Sequence, residues 1–242
     1  MADGFTYGNR NTAEFHMHVE KIPAIRGAAR RYSTFTVPGR NGSLHIDEGV
    51  YENYQQPYEC YFHDGEKASP EVAHAIKAWL MSGTGYQKLI DTYDPTHYHM
   101  AYFAGPLDVD NRLNKYGKCT VTFDFNPQAY LMSGDEVTEF TEPGTISNPT
   151  AYEAQPLIHV YGSGSGEVSV NGTTVTIHAI TDVITLDCEM QNAYRQVGDG
   201  APENMNGSIS APKFPKLSPG DNGLQFTGDI TRIEIIPRWW EL

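Results

Sequence analysis

The residues in this sequence best suited to chemistry are two His-x-His pairs, His16 with His18 and His97 with His99. Residues two apart on a β-strand share a face, so each pair could offer two imidazoles to one metal ion. A working centre needs a third or fourth ligand, and the sequence places none beside either pair. The favoured reading is therefore histidines that face solvent or pack on aromatic rings. Asp108 and Asp110 could likewise share a strand face, as the carboxylates of a glycosidase would. Such pairs are common on acidic surfaces, and no cleft is legible in a sequence. The run Gly162-Ser163-Gly164-Ser165-Gly166 follows a strand, as phosphate loops do. It continues into another strand, with no Lys-Ser/Thr and no helix N-terminus to meet an anion, so a β-turn is expected there. There is no Gly-x-Ser-x-Gly elbow and no Cys–His setting for a nucleophile. No catalytic, cofactor-binding or metal-binding residue is assigned, and the chain is expected not to be an enzyme and to use no cofactor.

Other reactive or sticky residues have equally plain readings. Cys60, Cys119 and Cys188 are widely spaced, without Cys-x-x-Cys or zinc-ligand spacing, which predicts buried reduced thiols. Arg26, Arg30, Arg31 and Arg40 form the one local positive density, read as a solvated face with a salt-bridged interface as the alternative. Trp239 and Trp240 are adjacent; on a continuing strand one indole faces each way, so one could be offered to a partner, although packing of both in their own domain is favoured. With 17 basic against 30 acidic residues the net charge is −13, so the protein is not expected to hold nucleic acid by neutralising phosphates. An acidic surface can still border the path of a passing strand.

The elements that position these residues are mostly strands. One segment reads as a helix, 69–82, with Ser69 as N-cap, Pro70 at the first helical position and Glu71 at the positive end of the dipole. Val72, Ile76, Trp79 and Leu80 form an apolar stripe at helical period, and Gly83 is expected to end the helix in a left-handed conformation. Elsewhere 23 glycines and 15 prolines fit short strands and tight turns. Phe15 to Ile22 reads as a strand with Phe15, Met17 and Val19 on one face. Val37 to Gly42 reads as a loop, and Pro57 marks an edge or a bulge. Leu107–Leu113 and Lys118–Phe125 make a hairpin around residues 114–117, and Asn171-Gly172 is a strong hairpin signal. Met132 to Pro149 is polar, with no clear periodicity beyond Val137 to Thr141, which reads as a connection between domains. Two domains follow, 1–135 with the helix and 136–242 made of seven or so short strands, with 136–150 linker-like. Charge divides unevenly, 12 basic and 16 acidic residues in the first part and 5 and 14 in the second. The N-terminus lacks the basic and apolar regions of a signal peptide, and no apolar run approaches the ~18 residues that span a bilayer. A soluble protein made in the cytosol, without a membrane partner, is the expectation.

A set of short motifs, weak singly but specific in order and spacing, carries a resemblance. They are Phe5-Thr6-Tyr7-Gly8, Val37 to Gly42, Ala78-Trp79-Leu80 before Gly85 to Leu89, and Asp94-Pro95. Phe123 to Pro127, Asn148-Pro149-Thr150, Tyr161-Gly162 and Val170-Asn171-Gly172 continue the pattern, with Phe214-Pro215 and Pro237 to Trp240 near the end. Across nearly its whole length the chain resembles the distal tail protein (Dit) family of bacteriophages with long non-contractile tails. The resemblance implies a mainly β fold: an N-terminal β-sandwich-like domain with one α-helix, then a galectin-like β-sandwich. It also implies a structural hub in the virion, at the distal end of the tail and made in the host cytoplasm. Six copies would form a baseplate ring joining the tail tube and tape-measure protein to the tail-tip (lysin-type) protein and to receptor-binding proteins. DNA would pass the channel without specific binding. The alternative reading is a carbohydrate-binding adhesion module for host-surface glycans, and a cell-wall hydrolase ranks last. A galectin-type site would need His, Asn, Arg and Trp on one face; His159, His178, Asn192 and Arg195 are present, but no spacing brings them together.

Overall fold

The computed structural model describes residues 4–63, 70–112, 116–198 and 200–242. It is mainly β with one α-helix, and the chain divides into two compact units, 1–129 with Leu242, and 130–241. Each unit has a hydrophobic core of its own.

The first unit contains strands β1 (Phe5–Tyr7), β2 (Arg10–Asn11), β3 (Met17–Val19), β4 (Arg30–Thr36), β5 (Ser43–Tyr51) and β6 (Tyr54–Phe62). Helix α1 (Pro70–Met81) follows, then β7 (Gln87–Asp91), β8 (Asp94–Phe103), β9 (Val109–Arg112) and β10 (Tyr116–Leu131), which runs through the division at 129/130. The main sheet has the order β2-β1-β7-β8-β10-β6-β3, with β9 also on β10. The helix forms where its stripe predicts, and Ile76, Trp79 and Leu80 are buried. The expected N-cap Ser69 lies outside the described residues, as do the tip residues 113–115 of the β9–β10 hairpin. The helix does not end as expected: Gly83 is not left-handed. Ser82 closes the last turn instead, its hydroxyl donating to the Trp79 carbonyl at 2.7 Å, and the first glycine beyond the helix with positive φ is Gly85 (83°). Pro57 sits inside the sheet opposite Thr122. It is tolerated because β3 pairs only with residues 60–62, leaving that flank of β6 without a strand to receive the missing N–H.

The second unit contains β11 (Thr138–Phe140), β12 (Gly144–Asn148), β13 (Leu157–Val170), β14 (Thr173–Asp187), β15 (Asn192–Arg195), β16 (Glu203–Asn204), β17 (Ile209–Ser210), β18 (Gly220–Ile236) and β19 (Trp240–Glu241). The sheet order is β11-β18-β13-β14-β15-β16, with β12 on β18 and β17 on β14. This corrects two expectations. The polar stretch 136–150 is not a linker, because β11 and β12 pair along β18. Only Ile146 and Asn148 of β12 turn inward, so the segment carries too little apolar periodicity to read as strand. The division between units accordingly falls before residue 136. Gly162–Gly166 is not a turn either: β13 runs straight through it, with register shifts against both β14 and β18. Glycine is required there for close approach, since a Cβ on Gly162 would lie 2.3 Å from the Asp229 carbonyl oxygen. The bulge bends three long strands, so Val160, Ile184 and Ile233 on one side of it and Val168, Val175 and Leu224 on the other line one core. The hairpin at Asn171-Gly172 is present, both residues at positive φ (50° and 81°) as a type I′ turn requires.

Candidate functional site

The residues singled out for chemistry are not gathered into a reaction centre. His16 is not on a strand but caps a short 3-10 turn at φ 50°, exposed. His18 stacks on Tyr61 at 5.3 Å and on His63 at 6.1 Å. His97 contacts the Asp94 carboxylate at 2.9 Å. His99 stacks on Phe125 at 4.6 Å with Tyr54 edge-on, and burial pushes its imidazole down to about 4, so it is neutral at physiological pH. Among the described residues no three His, Cys, Asp or Glu are arranged to hold a metal ion. Asp110 faces Lys118 across the β9–β10 ladder, and Asp108 precedes the strand. All three cysteines are buried and unpaired, and burial pushes Cys119 up to about 11 and Cys188 to about 12.

The galectin-type set is likewise scattered. His159 bonds Thr185, which faces Tyr194 one strand further on, so these three share a row. Arg195, one residue past Tyr194, is held by Glu203 at 2.6 Å, and His178 bonds Ser210 far along β14. Trp239 is in the core and Trp240 stacks on Tyr152 at 4.5 Å, so neither indole completes the set.

One ionic pair that sequence reasoning missed does hold the second unit. Arg238, at φ 56°, meets both oxygens of Asp187 at 3.0 and 3.3 Å, and Asp187 also accepts the N–H groups of Glu189 and Met190. Burial alone would raise the Asp187 carboxyl, but Arg238 and the two N–H groups outweigh it and hold the carboxyl below the usual range. A lowered carboxylate pKa contributes stability above the unfolded value of about 3.9, lost as pH falls through the folded value. Asp187→Asn removes the charged partner of Arg238's two hydrogen bonds, leaves it only Glu189 at 3.2 Å, and should cost about 1.5–3 kcal/mol at pH 7. Urea titrations of the two proteins at pH 7 and below pH 3 should show that gap closing in acid. A constant gap would assign the effect to packing.

The feature with the most to offer a partner is the ribbon β4–β5, a two-stranded sheet that pairs with neither larger sheet. Its register sets Phe35 opposite Leu44 and Ser33 opposite Ile46, so Phe35, Leu44 and Ile46 share one face. Tyr32, Thr34, His45 and Asp47 share the other. Phe35 is 53% exposed, Leu44 43% and Ile46 48%, with Val37 exposed at the tip. An isolated two-stranded hairpin is marginal in water, and a row of exposed apolar side chains along it makes this face the candidate contact surface. Ile22 and Ile25, in the extended run leading to it, are also exposed. Arg30, Arg31 and Arg40 of the basic run belong to this ribbon and its turn, while Arg26 precedes it and donates to the Gln55 carbonyl at 3.1 Å. Arg30 bonds Asp47 at 2.7 Å and Tyr51 at 2.9 Å, and Arg31 lies 3.6 Å from Glu52, so the base is stitched by its own ion pairs. Arg40 at the tip has no acidic partner among the described residues.

No family model matches the chain, and no curated protein matches it. Among solved structures it is similar to the Dit protein of SPP1, described as a paradigm of the hub adsorption apparatus of phages that infect Gram-positive bacteria. The match covers all of both chains with a TM-score of 0.74, at 12% sequence identity. Over its whole length, this chain has the fold of a Dit protein.

Proposed function

We propose that this protein is a structural hub of a phage tail tip, a member of the Dit family rather than an enzyme. The observation that carries the reading is the full-length likeness in fold to a hub protein. In this reading six copies close into a ring at the distal end of the tail, the first unit forming the ring and the second a galectin-like sandwich. The exposed apolar face of β4–β5 supports self-association, since a ribbon on one copy meeting a different surface on the next is the heterologous contact from which rings are built. The ring joins tail tube and tape-measure protein to the tail-tip and receptor-binding proteins, and the net charge of −13 suits a conduit that DNA crosses without adhering.

Co-expression with the tail-tube and tail-tip proteins of the same phage tests the joining role. The hub reading expects a complex containing both, recovered through a tag on either. Recovery of each protein alone, with this chain unbound, would contradict it.

A further inference from the structure

The register of the first sheet holds a chemical arrangement unrelated to assembly. Cys60 on β6 and Cys119 on β10 are directly opposite one another in the antiparallel ladder. Both side chains point into the same core, with Cys60 at 0% and Cys119 at 4% exposure. The spacing follows from the bonding pattern of β6. Toward β3, Glu20 N–H donates to Glu59 O and His63 N–H to His16 O, so odd-numbered residues of β6 turn their backbone groups to β3. Cys60 therefore turns its own groups to β10, and the cysteines form a hydrogen-bonded cross-strand pair with Cα atoms about 5.5 Å apart. Disulfides span Cα separations of about 4.4–6.8 Å, so the backbone already satisfies that requirement. The Cβ atoms of a hydrogen-bonded pair stand about 5.5 Å apart and must draw closer by about 1–2 Å, which makes the bond strained and easily reduced.

We propose that Cys60 and Cys119 form an oxidation site that a small peroxide converts into a reversible cross-strand disulfide between β6 and β10. The oxidant class follows from burial, because only a reagent close to water in size reaches these sulfurs without opening the sheet. Cys119 reacts first, having the slight exposure and the lesser rise in pKa, to about 11, while burial and the neighbouring Cys119 sulfur push Cys60 well above its ordinary value. The Cys119 sulfur attacks one peroxide oxygen, the O–O bond breaks, and the leaving hydroxide takes the thiol proton as water, giving a sulfenic acid. The Cys60 sulfur then attacks the sulfenic sulfur, the S–O bond breaks, and the oxygen leaves with the Cys60 proton as a second water. Two thiols are oxidised and one peroxide is reduced to two waters. High thiol pKa values make the reaction slow, so the pair stays reduced in a reducing compartment and closes outside it.

The test is to treat the folded full chain with hydrogen peroxide, alkylate the remaining thiols in denaturant and map the peptides. The expected result is a linked Cys60–Cys119 peptide, a mass loss of about 2 Da, and alkylation of Cys188 alone. Dithiothreitol should restore all three thiols, and the thermal midpoint should rise on oxidation and fall back on reduction. Cys119→Ser should abolish the link and leave Cys60 alkylated. Sulfinic acids at Cys60 and Cys119 without a link, three alkylated cysteines after prolonged exposure, or links that include Cys188 would each overturn the proposal.

Discussion

Trp79→Ala is expected to destabilise the first unit by about 3–5 kcal/mol, the largest single effect in that unit. Trp79 is 5% exposed and is the largest of the three side chains, with Ile76 and Leu80, that α1 buries in the core. Its indole stacks on Phe15 at 4.8 Å and 15° and on Phe5 at 5.9 Å, and it meets Tyr7 edge-on at 6.3 Å. The indole N–H also donates to the Tyr7 carbonyl at 3.3 Å, so alanine leaves a cavity and loses that bond as well. Because each unit has its own core, calorimetry is the right measurement. The transition of the first unit should fall by at least about 10 °C while the other stays in place. Trp79→Phe keeps the stacking and loses the hydrogen bond, and should recover more than half of the loss. A Trp79→Ala protein with an unchanged first transition would mean that the helix is not held by this contact.

Charged substitutions on the ribbon should act on assembly instead of folding. Phe35→Asp combined with Ile46→Asp places two carboxylates on the apolar face of β4–β5, where the native side chains are 53% and 48% exposed. Exposed positions of this kind change the stability of the single chain by no more than about 0.5 kcal/mol. In an interface, each lost apolar anchor costs about 2 kcal/mol or more, roughly 30-fold in affinity, and a closed ring repeats that loss at every contact. The double variant is therefore expected to fold with native thermal midpoints and to run as a 26.9 kDa monomer where the parent protein assembles. The matching pair Thr34→Asp and Thr36→Asp on the opposite face should leave assembly intact. If both pairs behaved alike, the apolar face would not be the contact surface.

How much of this was legible in the sequence differs by residue. The stripe Val72, Ile76, Trp79 and Leu80 placed the helix and its buried face, because period 3.6 survives in any context. Phe15, Met17 and Val19 are all buried as their alternation predicts, although Phe15 ends a 3-10 turn and His16 is left-handed. Asn171-Gly172 named its hairpin, since few other residues take positive φ at both positions. The glycines of 162–166 misled because a bulge and a turn ask the same freedom of the backbone, and only the partner strands decide between them. Strand β12 was hidden by its polarity, and β11 showed only as the short periodic piece Val137 to Thr141. The candidate contact surface was half visible: the loop Val37 to Gly42 could be read, but not that the ribbon it closes pairs with neither larger sheet. Arg238 with Asp187 and Cys60 with Cys119 were beyond reach, since strand register over long separations creates each pair.

Closure of six copies into a ring is open to light scattering of the purified protein, with negative-stain images of the same fraction. Six copies of a 26.9 kDa chain, about 161 kDa, are expected as a six-fold ring with a central hole. A 26.9 kDa monomer at all concentrations, still monomeric with its tail-tube and tail-tip neighbours present, would contradict it.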